Sequence, residues 1–185
     1  IMTSLITRFT LLFGGFIVSI ILARLLGPEG KGIITAIFVF PSLIISLADM
    51  GIRQSTAYYI GQGRYGLSDI ISSVAFLWII TSLGSILVVL LYFSINLSMN
   101  YSWSILLLAT STIPLNLIEQ YGKGILLGRN QISTINASQI IQFITNFFAV
   151  VLLVWIFDLN IVGAAMVQVL VSLSVAIYYL FSILK

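Results

Sequence analysis

Residues 70–95 read IISSVAFLWIITSLGSILVVLLYFSI, and no side chain in the run carries a charge. As a helix rising 1.5 Å per residue, the run is longer than the ~30 Å hydrocarbon core of a bilayer. The uncharged stretch continues to Ile118, too far for one crossing, so it must hold two helices. Asn96-Leu97-Ser98-Met99-Asn100 is where it divides. Working outward on both sides, apolar runs of similar length recur. The reading is an all-α polytopic membrane protein with six helices at about 9–26, 33–60, 70–95, 102–123, 135–157 and 161–184.

The joints are punctuated. Gly27-Pro28-Glu29-Gly30-Lys31-Gly32 reads as a turn that ends helix 1, because glycine and proline stop helices. The second helix is over-long, its pattern running past Ile52 through Gln54, Tyr58 and Tyr59 to Ile60. Its last two turns are expected to protrude into the cytoplasm or to lie in the membrane interface, where Tyr is favoured. Gly61-Gln62-Gly63-Arg64-Tyr65-Gly66 separates helices 2 and 3, with Ser68 as the expected N-cap. Gly128-Arg129-Asn130-Gln131 precedes helix 5. Asp158-Leu159-Asn160 is so short that helices 5 and 6 must be antiparallel neighbours. Pro41 and Pro114 are expected to kink or hinge helices 2 and 4.

The eight basic residues orient the bundle. Arg8, Arg53, Arg64, Lys123, Arg129 and Lys185 fall on one side, and Arg24 and Lys31 on the other. Basic loops stay cytoplasmic, so both ends of the chain are expected inside. Composition narrows the chemistry. A 60% hydrophobic, 7% charged chain with mean hydropathy +1.18 is no ordinary soluble domain. The net charge of +3 is too thinly spread for a nucleic-acid footprint. Without Cys there is no disulfide, thiol nucleophile or thiolate metal site, and without His the commonest general base is gone. The acids are Glu29, Asp49, Asp69, Glu119 and Asp158. No catalytic residue, metal or cofactor is therefore expected. The first helix lacks a small-residue cleavage site, so it is not read as a cleavable signal. The chain opens on Ile1 and stops at Lys185 close behind a helix, and is read as a piece of a longer protein.

Polar side chains inside the spans carry the functional reading. Asn136, Gln139, Gln142 and Asn146 share one face of helix 5. Thr112, Asn116, Glu119, Gln120 and Lys123 form a matching stripe on helix 4. Amides in hydrocarbon must find partners, so these faces do not meet lipid. Two readings stand: hydrogen bonding between tightly packed helices, or the wall of a water-filled vestibule open to the cytoplasm. Two acid–base pairs, Asp49 with Arg53 and Glu119 with Lys123, have the spacing of helical ion pairs. Asp49 and Glu119 are the candidates for ion coupling. Each pair also lies near the boundary, where it can neutralise itself and snorkel. Arg8 and Arg24 point in nearly opposite directions and bracket helix 1. Gly61-x-Gly63-x-x-Gly66 fits the dinucleotide pattern literally but belongs to no βαβ unit. Gly124-x-x-x-Gly128 is read as close helix packing or a helix end.

Ala23-Arg24-Leu25-Leu26-Gly27-Pro28-Glu29-Gly30-Lys31-Gly32 resembles the A-R-x-L-G-P-E-x-x-G segment of polysaccharide-biosynthesis membrane proteins. These are the oligosaccharide or O-antigen-type flippases of the multidrug/oligosaccharidyl-lipid/polysaccharide exporter superfamily. Asp49-Met50-Gly51-Ile52-Arg53, Tyr58-Tyr59-Ile60 and Leu127-Gly128-Arg129-Asn130 also resemble segments of that family. The resemblance implies a two-lobed transporter of 12 or more helices, with this chain as the N-terminal lobe and the C-terminal lobe lying beyond it. It implies a bacterial or archaeal inner-membrane protein that flips a polyprenyl-pyrophosphate-linked oligosaccharide by alternating access, for lipopolysaccharide-type surface glycans. The implied partners are that lipid-linked substrate, the bilayer, the C-terminal lobe and a glycan polymerase, with no nucleic acid. A pyrophosphate and sugars need a polar, partly cationic path. Arg8, Arg53 and Lys123 are the cations placed for an inward vestibule, with Arg24 on the outer side. Asn116, Glu119, Gln139, Gln142 and Asn146 complete the expected cavity. The alternative is a cation-coupled multidrug exporter of the same superfamily. A membrane-embedded enzyme would want His, Cys or a sizeable hydrophilic loop, and a scaffold would leave the polar stripes without a purpose.

Overall fold

The computed structural model describes residues 2–95 and 103–184, with side chains from Phe13 onward. Every regular element among them is helical: α1 (Met2–Asp49), α2 (Ile52–Gln62), α3 (Leu67–Ile95), α4 (Trp103–Gly128), α5 (Ile132–Ala149) and α6 (Asn160–Leu184). Stretches Phe13–Gln62, Leu67–Ile95, Ile132–Ile156 and Asn160–Leu184 are long and apolar enough to cross a membrane. This is the helical membrane protein expected from the sequence. The joint expected at 96–101 lies outside the described residues.

α1 is two arms, not one rod. Gly27 sits at φ 69°, ψ 174°, far from helical values, and only glycine adopts that region without strain. Gly15 shares a cavity wall with Lys123, while the Ala48 carbonyl accepts a hydrogen bond from Tyr121. A straight helix would hold Gly15 and Ala48 about 50 Å apart, yet they lie beside α4 residues only two positions apart, Lys123 and Tyr121. The chain therefore turns back at Gly27. The turn expected over 27–32 is this single residue. Pro28 already belongs to the second arm, since proline's fixed φ and missing N–H suit a first helical turn.

A second break follows at Met50 (φ 39°) and Gly51 (φ 79°), which makes α2 a separate helix instead of the tail of a longer one. Gly63 ends α2 in the left-handed conformation. At the start of α3 the Gly66 carbonyl accepts from the N–H groups of Asp69 and Ile70. Gly66, not Ser68, thus holds the cap position. Neither Pro41 nor Pro114 interrupts its helix. α5 continues into a π-helical segment, Val150–Ile156, and the short turn to α6 brings the two helices into antiparallel contact.

α4 is the hub, packing against α1, α2, α3, α5 and α6. Ile113 and Leu117 on it are fully buried. Trp78 of α3 donates its indole N–H to the Pro114 carbonyl at 2.9 Å. The α2 contact is closer still. A Cβ built on Gly124 would lie 2.7 Å from the Arg53 carbonyl oxygen, and one on Gly128 3.0 Å from that of Ala57. Gly124-x-x-x-Gly128 is thus a site of close backbone packing, as small-residue pairs in membrane helices are.

Candidate functional site: a polar cleft between the helices

The expected polar stripes converge. Thr112, Asn116 and Gln120 of α4 line a cavity of about 320 Å³ with Pro41, Ser42 and Ser46 of α1, Gln142 of α5, and Gln168 and Ser172 of α6. A second hollow of about 330 Å³ adjoins it, lined by Gly15, Lys123, Gln139, Gln142, Phe143, Asn146, Gln168 and Val171. The two share Gln142, Gln168 and Val171, so they form one cleft between both arms of α1 and α4, α5 and α6. Polarity is concentrated here. A hollow of about 360 Å³ between α3, α4 and α6 is lined by Ile71, Val74, Trp78, Ile125, Leu180 and other almost wholly apolar groups.

Some polar groups of the cleft are spoken for. Ser42 donates to the Val39 carbonyl and Ser46 to that of Ser42. Asn116 donates to the Thr112 carbonyl at 2.8 Å and to the Ser172 hydroxyl at 3.2 Å, tying α4 to α6. The ammonium of Lys123 pairs with Glu119 one turn earlier, and Glu119 is only 9% exposed. Others are not. The carboxamides of Gln120, Gln139, Gln142, Asn146 and Gln168 bond no other described residue. An amide without a partner in hydrocarbon costs a few kcal/mol, and all five of these side chains line the shared hollow. Asn116 thus ties α4 to α6, while the amides without such partners line the hollow.

The remaining sequence candidates lie elsewhere. Arg24 is exposed near the Gly27 reversal, away from the cleft. Arg53 is half-buried in the first turn of α2, outside the cleft lining, where its backbone meets Gly124. Arg8 lies on α1, its side chain outside the description. Asp49 and Arg53 do not form the expected ion pair. The break at Met50–Gly51 removes the helical spacing, and the Asp49 carboxylate instead accepts the Arg53 backbone N–H at 3.4 Å. Asp49 thereby answers one of the unsatisfied donors at the start of α2. Arg129 is a cap as well, its guanidinium donating to the Ile183 carbonyl at 3.1 Å near the end of α6.

Sequence reasoning passed over Gln168, Ser172, Ser42 and Ser46. Gln168 and Ser172 stand four apart on α6, as do Ser42 and Ser46 on the second arm of α1. That spacing was the available signal. It also passed over Tyr121, whose buried hydroxyl lies 3.1 Å from the Ala48 carbonyl and 3.0 Å from the Thr81 hydroxyl.

Apolar helices long enough to cross a membrane, packed around an amide-rich cleft, fit a membrane transport role. The chain belongs to the polysaccharide biosynthesis protein family, which it matches over residues 1–185. No curated protein and no solved structure matches it.

Proposed function

We propose that this chain is the N-terminal lobe of a transporter that flips a polyprenyl-pyrophosphate-linked oligosaccharide across the inner membrane of a bacterium or archaeon. The observation that carries this reading is the cleft: free amides from α4, α5 and α6 facing one cavity inside an apolar bundle. A glycan cannot cross hydrocarbon without exchanging its water for such groups. Membership of the polysaccharide biosynthesis family supports a glycan cargo over the small amphiphiles of a drug exporter.

In this reading the two arms of α1, then α3, α4, α5 with its π segment, and α6 cross six times, and α2 lies at the cytoplasmic surface. Charge supports that orientation. The Arg53 backbone packs on Gly124 and Arg129 caps α6 at Ile183, so these basic residues share one end with the chain terminus. Gly30 approaches Ile161 at the other end, with the sparsely charged turns. Basic ends stay inside. A second lobe closes the cleft, and alternating access exposes it to either side in turn. Transport breaks no bond, so no residue here is assigned a catalytic role. A glycan polymerase would consume the flipped product.

The test is export in cells lacking the natural copy. Wild-type protein should restore surface glycan. A Gln139→Leu/Gln142→Leu double variant of normal abundance should leave the lipid-linked oligosaccharide in the inner leaflet, with at least roughly tenfold less at the surface, as expected from two lost hydrogen bonds. Normal surface glycan in cells without the protein would remove the flippase reading.

A further inference from the structure

We infer that the cleft is a subsite for the uncharged, hydroxyl-rich part of the cargo, and that Gln142 and Gln168 set that preference. The inference rests on the glycan reading above and adds which part of the glycan this lobe recognises. Two observations carry it. First, the cleft holds no net charge among the described residues, since its cation, Lys123, is already paired with Glu119. From Phe13 onward, the described residues of both arms of α1 contribute only apolar groups and hydroxyls to the wall. A pyrophosphate or an acidic sugar would surrender its water here to a lysine that is already neutralised. Burying an anion without a matching cation is far more costly than burying a hydroxyl that is hydrogen-bonded.

Second, the free groups are carboxamides. Each offers an acceptor oxygen and two N–H donors. A sugar hydroxyl likewise donates one bond and accepts others, so the two match whichever way each is turned. Ser42 and Ser46 are held by carbonyls of their own helix and Ser172 accepts from Asn116, which leaves the amides as the groups most open to a ligand. Gln142 and Gln168 stand apart from the rest. They come from different helices, they alone among the polar side chains border both parts of the cleft, and both are exposed. A sugar ring lying across the joint between the two parts would meet both. The pyrophosphate must then be held outside this set of residues.

Isothermal titration of the intact purified membrane protein tests this. The probes are maltotriose, trigalacturonate and inorganic pyrophosphate, none of which carries a lipid. Maltotriose should bind at least roughly tenfold more tightly than either anion, and Gln142→Leu and Gln168→Leu should each weaken it by roughly tenfold, the worth of one or two hydrogen bonds. Gln54→Leu, which alters an exposed amide on α2 outside the cleft, should bind as wild type does. Because Gln142 and Gln168 are exposed, their replacement should leave the melting temperature in detergent unchanged, and Gln142→Asn should retain part of the binding. Tighter binding of either anion overturns the inference, as does the absence of saturable maltotriose binding or wild-type affinity in both leucine variants. Selective maltotriose binding by a protein that cells do not need for surface glycan would leave this subsite standing and remove only the flippase reading.

Discussion

α3 and α4 lie side by side and invert the rule for proteins in water. α3 is the more apolar helix, yet Phe76 and Leu83 on it are each 64% exposed. α4 carries Asn116, Glu119, Gln120 and Lys123, yet it is the helix that the others surround. In water the order would be reversed, because burial would be driven by apolar surface. Lipid tails are as apolar as leucine, so an apolar face gains little by leaving them. What draws α4 inward is what lipid cannot supply: partners for polar groups, and close backbone contact through Gly124 and Gly128. α3 needs only to be long and greasy, and it is anchored to α4 chiefly by packing and by the Trp78 hydrogen bond.

The largest test of that contrast is the ion pair. Lys123→Met leaves Glu119, only 9% exposed, without its partner at the edge of the cleft. Breaking a buried pair from one side costs about 3–5 kcal/mol, so the melting temperature in detergent should fall sharply. Adding Glu119→Leu should recover most of the loss, because the stranded charge goes with it. A single variant as stable as wild type would mean that the cleft solvates Glu119 once Lys123 is gone, and that the ion pair is not what holds α4 at the centre.

Next comes the glycine contact. Gly124→Leu would push a side chain against the Arg53 backbone, which cannot rotate away as a side-chain tip would. Overpacking costs about 1–3 kcal/mol. The same test should show α2 detaching first, as faster proteolysis near Arg64. If Gly124→Leu melted like wild type, the close approach of α2 to α4 would be wrong.

The contrast was partly legible in the sequence, and the reason differs residue by residue. α3 was plain because nothing interrupts it. Gln139, Gln142 and Asn146 were plain because an amide in an apolar run is costly enough to need a purpose. Ser42 and Ser46 were silent, since a serine can satisfy its hydroxyl on its own helix, as both do. Gln168 was silent because it is a single amide on an otherwise apolar helix, and periodicity needs company to be seen. The reversal at Gly27 was read as a longer loop because Pro28 reads equally as a stop and as a first turn. The break at Met50–Gly51 and the pairing of Tyr121 with Ala48 are long-range facts. They depend on which carbonyl the broken helix leaves open, and no local pattern carries that.

Tyr121→Phe gives a smaller and cleaner effect. The hydroxyl reaches the Ala48 carbonyl, one of the last four of α1, whose intrahelical partners the break removes. Losing that bond while keeping the ring should cost about 1 kcal/mol. Thr81→Val, which removes the other neighbour of the hydroxyl on the α3 side, should cost less than Tyr121→Phe, because the carbonyl stays satisfied. Equal losses would mean that the hydroxyl serves Thr81 on α3 and not the open carbonyl at the break.

The smallest effect should come from Gly84→Ala on α3, and its sign matters more than its size. Nothing lies within 4 Å of the added methyl, and alanine is the better helix former by about 1 kcal/mol at most. The melting temperature should hold or rise slightly. The same replacement at Gly124 should lower it, because there the methyl meets the Arg53 carbonyl oxygen at 2.7 Å. One chemical change thus reads opposite signs on the two helices if α3 faces lipid and α4 faces protein. A loss at Gly84 as large as that at Gly124 would mean that α3 is covered there, and the division between an outer and a central helix would have to be redrawn.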